Sequence, residues 1–446
     1  MKREAVILFT RVPYPGITKT RLMPVYSGKE CAELHACFLR DIYKECKKTG
    51  RTVFVCYTGL GQEKLLKKIL PNVKDEELML QQGNDLGARM GNAIQKVLES
   101  GYDSCVLMGS DVPELKAAQT EEAFAGLKEA DTVFIPTVDE GYCLVGMKSY
   151  IPEAFQNQAY GSGSVLEHTI RAVKEAGYQT KIFGAVNDID MPEDLLGLKE
   201  RMRKNCVKAE DSYTYRYMKK HPKISVIIPV YNEETTIVKL QEQLKKLPDC
   251  EIIFVDGGSL DRTVELIEGK YKVLTGAKGR AAQMNLGAKK SAGDILFFLH
   301  ADSELPDNPM SEIRRVMRQY RWGCFGIAFH EKHFFLWTCQ VISNHRIKDR
   351  KVVFGDQGIF IDRDLFFEIG MYPELPIMED YQFSLTLKER GEAIGTTRHH
   401  IYSSSRRFKG NTMTKLRIMW KMNRLRKMYR DGVDIEIISR MYKDIR

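Results

Sequence analysis

The chain has 446 residues, which is more than one ordinary hydrophobic core accommodates, so its length predicts two domains. Its 43% hydrophobic and 28% charged residues are typical of a soluble globular protein, and no apolar run reaches the roughly 18 residues of a membrane-spanning helix. The formal charge of +9 is uneven. Residues 1–205 carry 27 Lys and Arg against 28 Asp and Glu, whereas residues 406–446 carry 13 against 4.

The cysteines and the N-terminus indicate the compartment. The ten cysteines are scattered, and none of them forms a C-x-x-C pair or a zinc-binding spacing with histidine. Reduced thiols of a cytoplasmic protein are therefore predicted. The N-terminal apolar run AVILF is too short for the core of a signal peptide and predicts a first strand.

The first half of the chain alternates apolar runs with helical stretches. Strands are predicted at residues 4–9, 52–58 and 104–111, and the third ends on Asp111. A Pro/Gly loop at residues 13–16 and a helical stretch separate the first two. Strands that alternate with helices predict an α/β domain with a mainly parallel sheet.

The same plan begins again after the middle of the chain. Residues 223–234 are predicted to be a strand followed by a polar loop, and residues 251–259 a strand that ends in a turn. Residues 295–302 are predicted to be a strand, an apolar run that ends on Asp302. An apolar run of this kind is typical of a strand buried on both faces. The sequence therefore predicts two domains of similar architecture, which repeat a fold plan and not a residue pattern.

A charged segment without apolar periodicity separates the two halves. We predict a first domain at 1–204, a linker at 205–222 and a second domain at 223–446. The second domain ends in a basic helical tail that begins at about residue 409.

Polar residues follow the predicted strands of the second half, where open α/β sheets bind ligands. Asn232 and Glu233 follow the first strand, Asp256 ends the second, and Lys278 and Arg280 precede a helix. This set suits a nucleoside diphosphate, with the cations facing phosphate. Asp302 can hold Mg²⁺ or Mn²⁺, which usually binds one or two carboxylates together with substrate phosphates.

These motifs resemble glycosyltransferase family 2, which has the GT-A fold. The motifs GRAAQMNLGA, LHADSELP, GDQGIFI, MEDYQF and SSSRRF resemble, more narrowly, the radical-SAM/selenodomain-associated transferase 2 family, also described as arsenosugar-biosynthesis glycosyltransferases. The resemblance covers about residues 223–446 and implies an inverting, metal-dependent glycosyltransferase.

The resemblance implies roles for individual residues. Asp302 matches the metal-binding aspartate, and His300 stands where the usual first aspartate of a D-x-D pair would be. Asp380 matches the catalytic base, with Glu379 orienting it or the acceptor. The full predicted nucleotide-sugar-binding set of this domain is Pro229, Asn232, Glu233, Asp256, Lys278, Arg280, Asn285, Arg406 and Arg407.

A second phosphate-binding loop is predicted near the N-terminus. Gly16 permits a tight turn, and Lys19 and Arg21 open the next predicted helix, whose N-terminus attracts phosphate. Asp111 at a strand end and Asp188 and Asp190 in a loop are carboxylates suitable for a divalent metal. Because Asp188 and Asp190 precede Pro192, the start of the next helix is the alternative explanation for these two.

This region resembles the radical-SAM/selenodomain-associated transferase 1 family. That family is similar in fold to GT-A glycosyltransferases and to nucleotidyltransferases such as the phospholactate guanylyltransferases. The resemblance spans about residues 1–204, but Glu140 replaces the first glycine of a usual D-G-G-Y. The implied fold class is therefore α/β, with two GT-A-like, Rossmann-like domains in tandem.

We predict a bifunctional nucleotide-sugar-dependent glycosyltransferase. In one alternative the first domain is a nucleotidyltransferase or a non-catalytic binding module, and in another the protein is a peripheral-membrane enzyme with a lipid acceptor. The predicted partners are a nucleotide-sugar donor and a small-molecule acceptor, for which the resemblance suggests arsenic- or selenium-containing compounds. Nucleic acid is not predicted, because no recognised module occurs. For the basic tail, a solvated or core-packing helix is favoured over membrane contact.

Overall fold

The computed structural model describes residues 3–59, 62–158, 160, 164–208, 210–247, 250–331, 333–403 and 412–443. It divides into two compact units, the N-terminal unit Met1–His221 and the C-terminal unit Pro222–Arg446. Each unit has its own hydrophobic core.

The N-terminal unit consists of one sheet flanked by helices. Its strands are β1 Glu4–Arg11, β2 Thr52–Thr58, β3 Leu78–Leu80, β4 Ser104–Gly109, β5 Thr132–Pro136, β6 Tyr142–Met147 and β7 Thr180–Ile182. Its helices are α1 Gly28–Lys48, α2 Glu63–Ile69, α3 Leu86–Glu99, α4 Ala117–Gly126, α5 Val165–Glu175, α6 Pro192–Lys204 and α7 Tyr213–Lys220.

Seven strands form this sheet in the order β3-β2-β1-β4-β6-β5-β7, and β6 is antiparallel to both of its neighbours. The alternation of side chains along β1 explains why its residues 5–9 are all apolar. Val6 and Leu8 enter the core on one face of the sheet, while Ala5 and Ile7 enter the core on the other. Burial on both faces places the polar functional residues beyond the strand ends.

The C-terminal unit is also one sheet flanked by helices. Its strands are β8 Ile224–Val230, β9 Cys250–Asp256, β10 Lys272–Thr275, β11 Ile295–Phe298, β12 Trp322–Ala328, β13 Ile359–Asp362 and β14 Ile394–Tyr402. Its helices are α8 Ile237–Leu244, α9 Arg280–Lys289, α10 Pro309–Met317, α11 Phe334–Arg350, α12 Arg363–Glu368, α13 Glu379–Glu389, α14 Thr412–Arg430 and α15 Ile435–Lys443.

The second sheet repeats the topology of the first strand for strand. Its order is β10-β9-β8-β11-β13-β12-β14, and β13 occupies the place of β6 as the antiparallel member. Phe297 and Leu299 enter one core and Leu296 and Phe298 the other, so the predicted two-faced burial of this run is confirmed. The prediction of two α/β domains with mainly parallel sheets and the same plan is also confirmed.

The segment predicted to be a linker contains helix α7, and this helix belongs to the N-terminal unit. The Asp41 carboxylate of α1 accepts hydrogen bonds from Ser212 Oγ at 2.8 Å and from the Tyr213 and Thr214 amides at 2.8 and 2.9 Å. The start of α7 is therefore tied to α1, and the boundary between the units falls at residues 221–222.

The C-terminal tail folds back onto its own unit. Leu425 of α14 and Ile438 of α15 are buried against Ile377, Met378 and Tyr381 at the start of α13. One side of the tail therefore packs against the core. Within the described residues, no helix is long and apolar enough to cross a membrane.

Candidate functional site

In the C-terminal unit, the loops after β8 and β9 are bound to each other. Asn232 adopts a left-handed conformation, with φ of 54°, and its Oδ1 accepts a hydrogen bond from the Leu260 amide at 2.8 Å. The backbone amide of Asn232 donates to Ser259 Oγ at 2.9 Å, and Ser259 Oγ in turn donates to Asp256 Oδ1 at 2.6 Å. The buried Asp256 also accepts from the Gly258 amide at 2.9 Å. These bonds connect the two loops at the ends of neighbouring strands.

Three other predicted donor-binding residues have structural contacts. Pro229 is buried within β8. The Glu233 amide donates to Thr263 Oγ1 at 2.7 Å, which ties the loop after β8 to the segment after β9. Asn285 is buried on α9, and its amide group both donates to the Tyr372 carbonyl at 2.9 Å and accepts from the Tyr372 amide at 3.1 Å. The Asn285 side chain thus hydrogen-bonds to the main chain of Tyr372, and its contact with a ligand stays a prediction.

The two predicted phosphate-binding cations have different environments. The Lys278 ammonium lies 4.0 Å from the ring centroid of Tyr231. Arg280 Nε lies 3.1 Å from Glu379 Oε1 at the start of α13. Burial alone would lower the pKa of Arg280, but attraction to Glu379 and Asp380 outweighs it and raises that pKa. Burial raises the pKa of the Glu379 carboxyl, while Arg280 opposes the shift.

Asp380, the predicted base, lies at the N-terminus of α13 beside two other motifs. Its Oδ2 accepts a hydrogen bond from the Gly355 amide at 2.8 Å, and its Oδ1 accepts one from the Tyr381 amide at 2.7 Å. A Cβ atom added at Gly355 would lie 2.5 Å from His300 Nε2 and 3.6 Å from Asp380 Oδ2, so a larger residue here would require the His300 ring to move. The GDQG, HAD and MED motifs therefore meet at one place.

Asp302 is half-buried and lines an open cavity of about 260 Å³. The cavity is also lined by His330 and Glu304, whose Nε2 and Oε2 atoms lie 2.8 Å apart, and the His330 ring stacks on Tyr402 at 4.2 Å. Asp302 thus faces a cavity and not the packed interior. Sequence reasoning missed His330 and Tyr402, because nothing in the sequence indicates that they line the same cavity as Asp302.

Sequence reasoning also did not pair Arg346 with Arg426, and both of these arginines are half-buried. The guanidinium carbons of Arg346 and Arg426 lie 4.3 and 5.0 Å from the ring centroid of Phe354. Burial and then repulsion by Arg426 lower the pKa of Arg346 to about 10, although Asp356 and Asp380 attract it. Arg346 belongs to α11, and Arg426 belongs to the basic tail, for which a solvated or core-packing helix was favoured. The predicted Arg406 and Arg407 lie outside the described residues.

In the N-terminal unit, the predicted phosphate loop and metal carboxylates come together. Gly16 has φ of 77° and Lys19 has φ of 52°. Lys19 Nζ lies 2.7 Å from Asp111 Oδ1 and 2.9 Å from Asp190 Oδ1, and Arg21 Nη1 lies 3.3 Å from Asp190 Oδ2. Burial would lower the pKa of Lys19, but the two carboxylates outweigh it and raise that pKa. The loop cations thus neutralise the carboxylates that were predicted to hold a metal.

Further titratable groups surround this cluster. Burial, followed by repulsion from Asp139 and Asp190, raises the pKa of Asp188 to about 6. His35 is buried with Nε2 2.9 Å from Ser110 Oγ, and burial lowers its pKa to about 4. The sequence did not single out His35, because it lies within the amphipathic pattern of α1. Within the described ranges, no group of three or more His, Cys, Asp or Glu side chains is arranged to hold a metal ion by itself.

We expect Asp188→Asn to stabilise the N-terminal unit above pH 6. A carboxyl with a raised folded-state pKa contributes stability at low pH that is lost as the pH rises through about 6, and the amide cannot ionise. Because Asp188 is only half-buried, the gain in the free energy of unfolding should not exceed about 1 kcal/mol. Thermal unfolding followed by circular dichroism between pH 4 and 8 measures it, with the pH values chosen to bracket that pKa.

The control for this prediction is Glu122→Gln, which removes an exposed negative charge on α4 of the same unit. This control should not change the pH dependence. If the difference in the free energy of unfolding between Asp188→Asn and wild type is the same at every pH, the repulsion assigned to Asp188 is wrong.

Two family models match the chain, one in each unit. Residues 42–162 match the family described as "Uncharacterized protein conserved in bacteria (DUF2064)". Residues 225–338 match "Glycosyl transferase family 2". The second match lies within the C-terminal unit. The two sheets together with this match confirm the predicted tandem GT-A-like α/β fold, whereas the narrower family names stay predictions.

Curated relatives match parts of the chain. An undecaprenyl-phosphate 4-deoxy-4-formamido-L-arabinose transferase from Pseudomonas aeruginosa (strain LESB58) is 33% identical over 114 residues, which are 22% of this chain and 33% of that protein. An uncharacterised glycosyltransferase from Haemophilus influenzae is 26% identical over 184 residues, 37% of this chain and 61% of that protein. The chain thus spans about a third of the length of the first of these relatives.

Solved structures also resemble parts of the chain. A protein of Desulfovibrio desulfuricans G20 assigned to the nucleotide-diphospho-sugar transferases is 28% identical, covers 49% of this chain and 95% of its own, and has a TM-score of 0.46. A mannosyltransferase from Pyrobaculum calidifontis, solved with GDP-Man and Mn²⁺, is 17% identical, covers 55% of this chain and 76% of its own, and has a TM-score of 0.37.

Proposed function

We propose that the C-terminal unit is an inverting glycosyltransferase that takes its sugar from a nucleoside diphosphate donor and uses Asp380 as the catalytic base. The observation that carries the proposal is the meeting of three motifs at the start of α13. Asp380 is held there by the Gly355 and Tyr381 amides, with the His300 imidazole beside Gly355. The family 2 match at residues 225–338 supports the same class of reaction.

In the proposed reaction, a carboxylate oxygen of Asp380 takes the proton of the acceptor hydroxyl. The hydroxyl oxygen then attacks the anomeric carbon, and the bond from that carbon to the nucleoside diphosphate breaks with its electron pair on the leaving phosphate. The two amide hydrogen bonds to Asp380 fix the carboxylate in one orientation. The Lys278 and Arg280 side chains supply positive charge for the diphosphate.

Asp302 is the residue we propose to hold a divalent metal in this unit. A single half-buried carboxylate that faces an open cavity fits an ion whose other ligands are donor phosphates and water. When bound, Mg²⁺ or Mn²⁺ would stabilise negative charge on the diphosphate. His300, in place of a second carboxylate, makes the metal affinity depend strongly on the nucleotide.

We further propose that the N-terminal unit is a second transferase site, with Asp111 and Asp190 as metal ligands and with Lys19 and Arg21 as phosphate ligands. The convergence of these four side chains after a glycine turn supports this proposal. A nucleotidyltransferase that makes the activated sugar uses the same elements, and a non-catalytic binding module is the other alternative. A fused pair of sequential activities would raise the local concentration of a shared intermediate.

Calorimetry with Mn²⁺ and a panel of nucleoside diphosphates tests both units of the full chain. We expect two sites per chain, of which Asp302→Asn weakens one and Asp111→Asn the other, each by about tenfold or more because a charged ligand to the metal is lost. Asp307→Asn, an exposed aspartate in the same loop as Asp302, is the matched control and should bind as wild type does. A single site that responds only to Asp302→Asn would favour a silent N-terminal unit.

Two classes of acceptor are proposed, a small molecule and a lipid. An arsenic- or selenium-containing acceptor rests on the family resemblance alone. A lipid acceptor remains an alternative, and several curated relatives are named undecaprenyl-phosphate transferases. Cytoplasmic localisation stays a prediction, and nothing in the proposal requires nucleic acid.

A further inference from the structure

Two helices of the C-terminal unit present an apolar patch to solvent. Helices α11 and α14 carry seven large apolar side chains that are 43–78% exposed. We call this set the apolar patch: Phe334, Trp337, Val341, Ile342, Met413, Leu416 and Trp420. Two exposed tryptophans and an exposed phenylalanine on neighbouring helices are unusual for a surface that meets only water.

The two helices form one continuous surface. Cys339 Sγ of α11 lies 3.6 Å from Met419 Sδ of α14. An open groove of about 470 Å³ runs between the helices, lined mainly by apolar side chains that include Phe334, Phe335 and Leu416. The Phe334 and Trp337 rings lie 5.9 Å apart on the rim of this surface. The two helices that carry the apolar patch thus share an apolar groove, which Phe334 and Leu416 of the patch line.

Positive charge accompanies the apolar patch. Helix α14, with the sequence TMTKLRIMWKMNRLRKMYR, contains seven Lys and Arg and no Asp or Glu. Arg417, Arg424, Lys427 and Arg430 are exposed, and the Arg424 guanidinium lies 5.7 Å from the Trp420 ring centroid. A helix that combines exposed tryptophan with an excess of cations is typical of a segment that lies in the interface of an anionic bilayer.

We propose that the apolar patch and the exposed cations of α14 form a docking surface for an anionic phospholipid bilayer. The positive charge of α14 favours an anionic bilayer over a second copy of the chain as the partner of this surface. A symmetric dimer through the same patch would bring two α14 helices together, each with seven cations and no anion. Anionic headgroups instead complement this charge while the tryptophans and Phe334 enter the boundary between headgroups and acyl chains.

Docking would orient the unit on the bilayer. The side of α14 away from the apolar patch packs against α13, where Tyr429 Oη donates to Gln382 Oε1 at 2.8 Å and Arg426 lies over Phe354. Helix α14 thus connects the apolar patch with the helix that begins at Glu379–Asp380. Delivery of a lipid-borne acceptor to Asp380 rests on the proposed function, but docking itself does not.

Vesicle co-sedimentation of the full chain tests the proposal without any assay of transfer. At low salt we expect binding to phosphatidylcholine vesicles that contain phosphatidylglycerol and little binding to phosphatidylcholine alone. Arg417→Gln/Arg424→Gln should weaken binding roughly thirtyfold, since each cation near an anionic surface contributes about fivefold. Added salt should weaken wild-type binding as well.

A second variant, Trp337→Ser/Trp420→Ser, should lose binding even at low salt. Val238→Ser, an exposed apolar residue on α8 of the same unit, is the matched control and should bind as wild type does. If the double tryptophan variant fails to fold, as judged by circular dichroism, the double arginine variant decides. Nucleoside diphosphate binding should be unchanged in every variant, so loss of docking is distinguishable from failure of the proposed function.

Three results would overturn the proposal. The first is no binding of wild type to anionic vesicles at low salt, and the second is equal binding of wild type and both double variants. The third is a dimer in analytical ultracentrifugation that the tryptophan substitutions dissociate, together with no vesicle binding, since this would assign the apolar patch to a second copy of the chain.

Discussion

Replacing Asp380 with asparagine is expected to lower the rate of sugar transfer by a factor of about 10² to 10⁴, the usual contribution of a positioned general base. The amide cannot take the proton of the acceptor hydroxyl. It preserves the volume of the carboxylate and one oxygen that can accept from the Gly355 or Tyr381 amide. We therefore expect kcat to fall while the affinity for the nucleotide donor changes little.

The measurement is steady-state transfer, or donor hydrolysis where the acceptor is unknown, with a panel of nucleotide sugars. The matched control is Asp364→Asn, because Asp364 is also an acidic residue in the first turn of a helix of the same unit. This control separates chemistry from the general effect of an acid at a helix N-terminus. Equal rates for Asp380→Asn and wild type would show that the base lies elsewhere.

Sequence reasoning predicted those parts of the fold and site that depend on the local pattern of apolar and polar residues. The run Leu296–Leu299 is apolar throughout because both faces of β11 are buried, and the polar residues that follow must lie at the sheet edge. The same logic located Asp256 and Asp111. The convergence of Lys19 with Asp190, which are 171 residues apart, followed because both lie in loops that the parallel topology brings to one edge.

The other parts of the site depend on long-range packing that has no local signal. Arg426 looked like one cation in a basic tail, and only the folding of α14 onto α13 places it over Phe354. Asn285 lies in a motif associated with donor binding, yet its amide is paired with the main chain of Tyr372. Side-chain orientation and pairing decide such roles, and neither follows from spacing along the chain.

Loss of the ion pair between Arg280 and Glu379 is expected to destabilise the C-terminal unit. Glu379 is buried, and Arg280 Nε at 3.1 Å is a cation that compensates its charge. Replacing Arg280 with methionine leaves a buried carboxylate without that partner, which typically costs about 3 kcal/mol. We expect the free energy of unfolding of the C-terminal unit to fall by this amount at neutral pH.

Tryptophan fluorescence is suited to this measurement, because all three tryptophans, Trp322, Trp337 and Trp420, lie in the C-terminal unit. Urea unfolding of the full chain followed by this signal reports that unit alone. The double variant Arg280→Met/Glu379→Gln should recover much of the lost stability, since removing both charges is far less costly than leaving one unpaired. A double variant less stable than Arg280→Met would contradict the proposed pairing.

The difference in stability between wild type and Arg280→Met is expected to depend on pH. Burial already raises the pKa of Glu379 while Arg280 opposes the rise, so the loss of Arg280 must raise that pKa further. A carboxyl with a raised folded-state pKa contributes stability at low pH that is lost as the pH increases. The difference between wild type and Arg280→Met should therefore be small in acid, where Glu379 is protonated in both proteins, and should grow as the pH rises. A difference independent of pH would indicate lost packing of the arginine side chain instead. The buried charge of Glu379 would then not depend on Arg280.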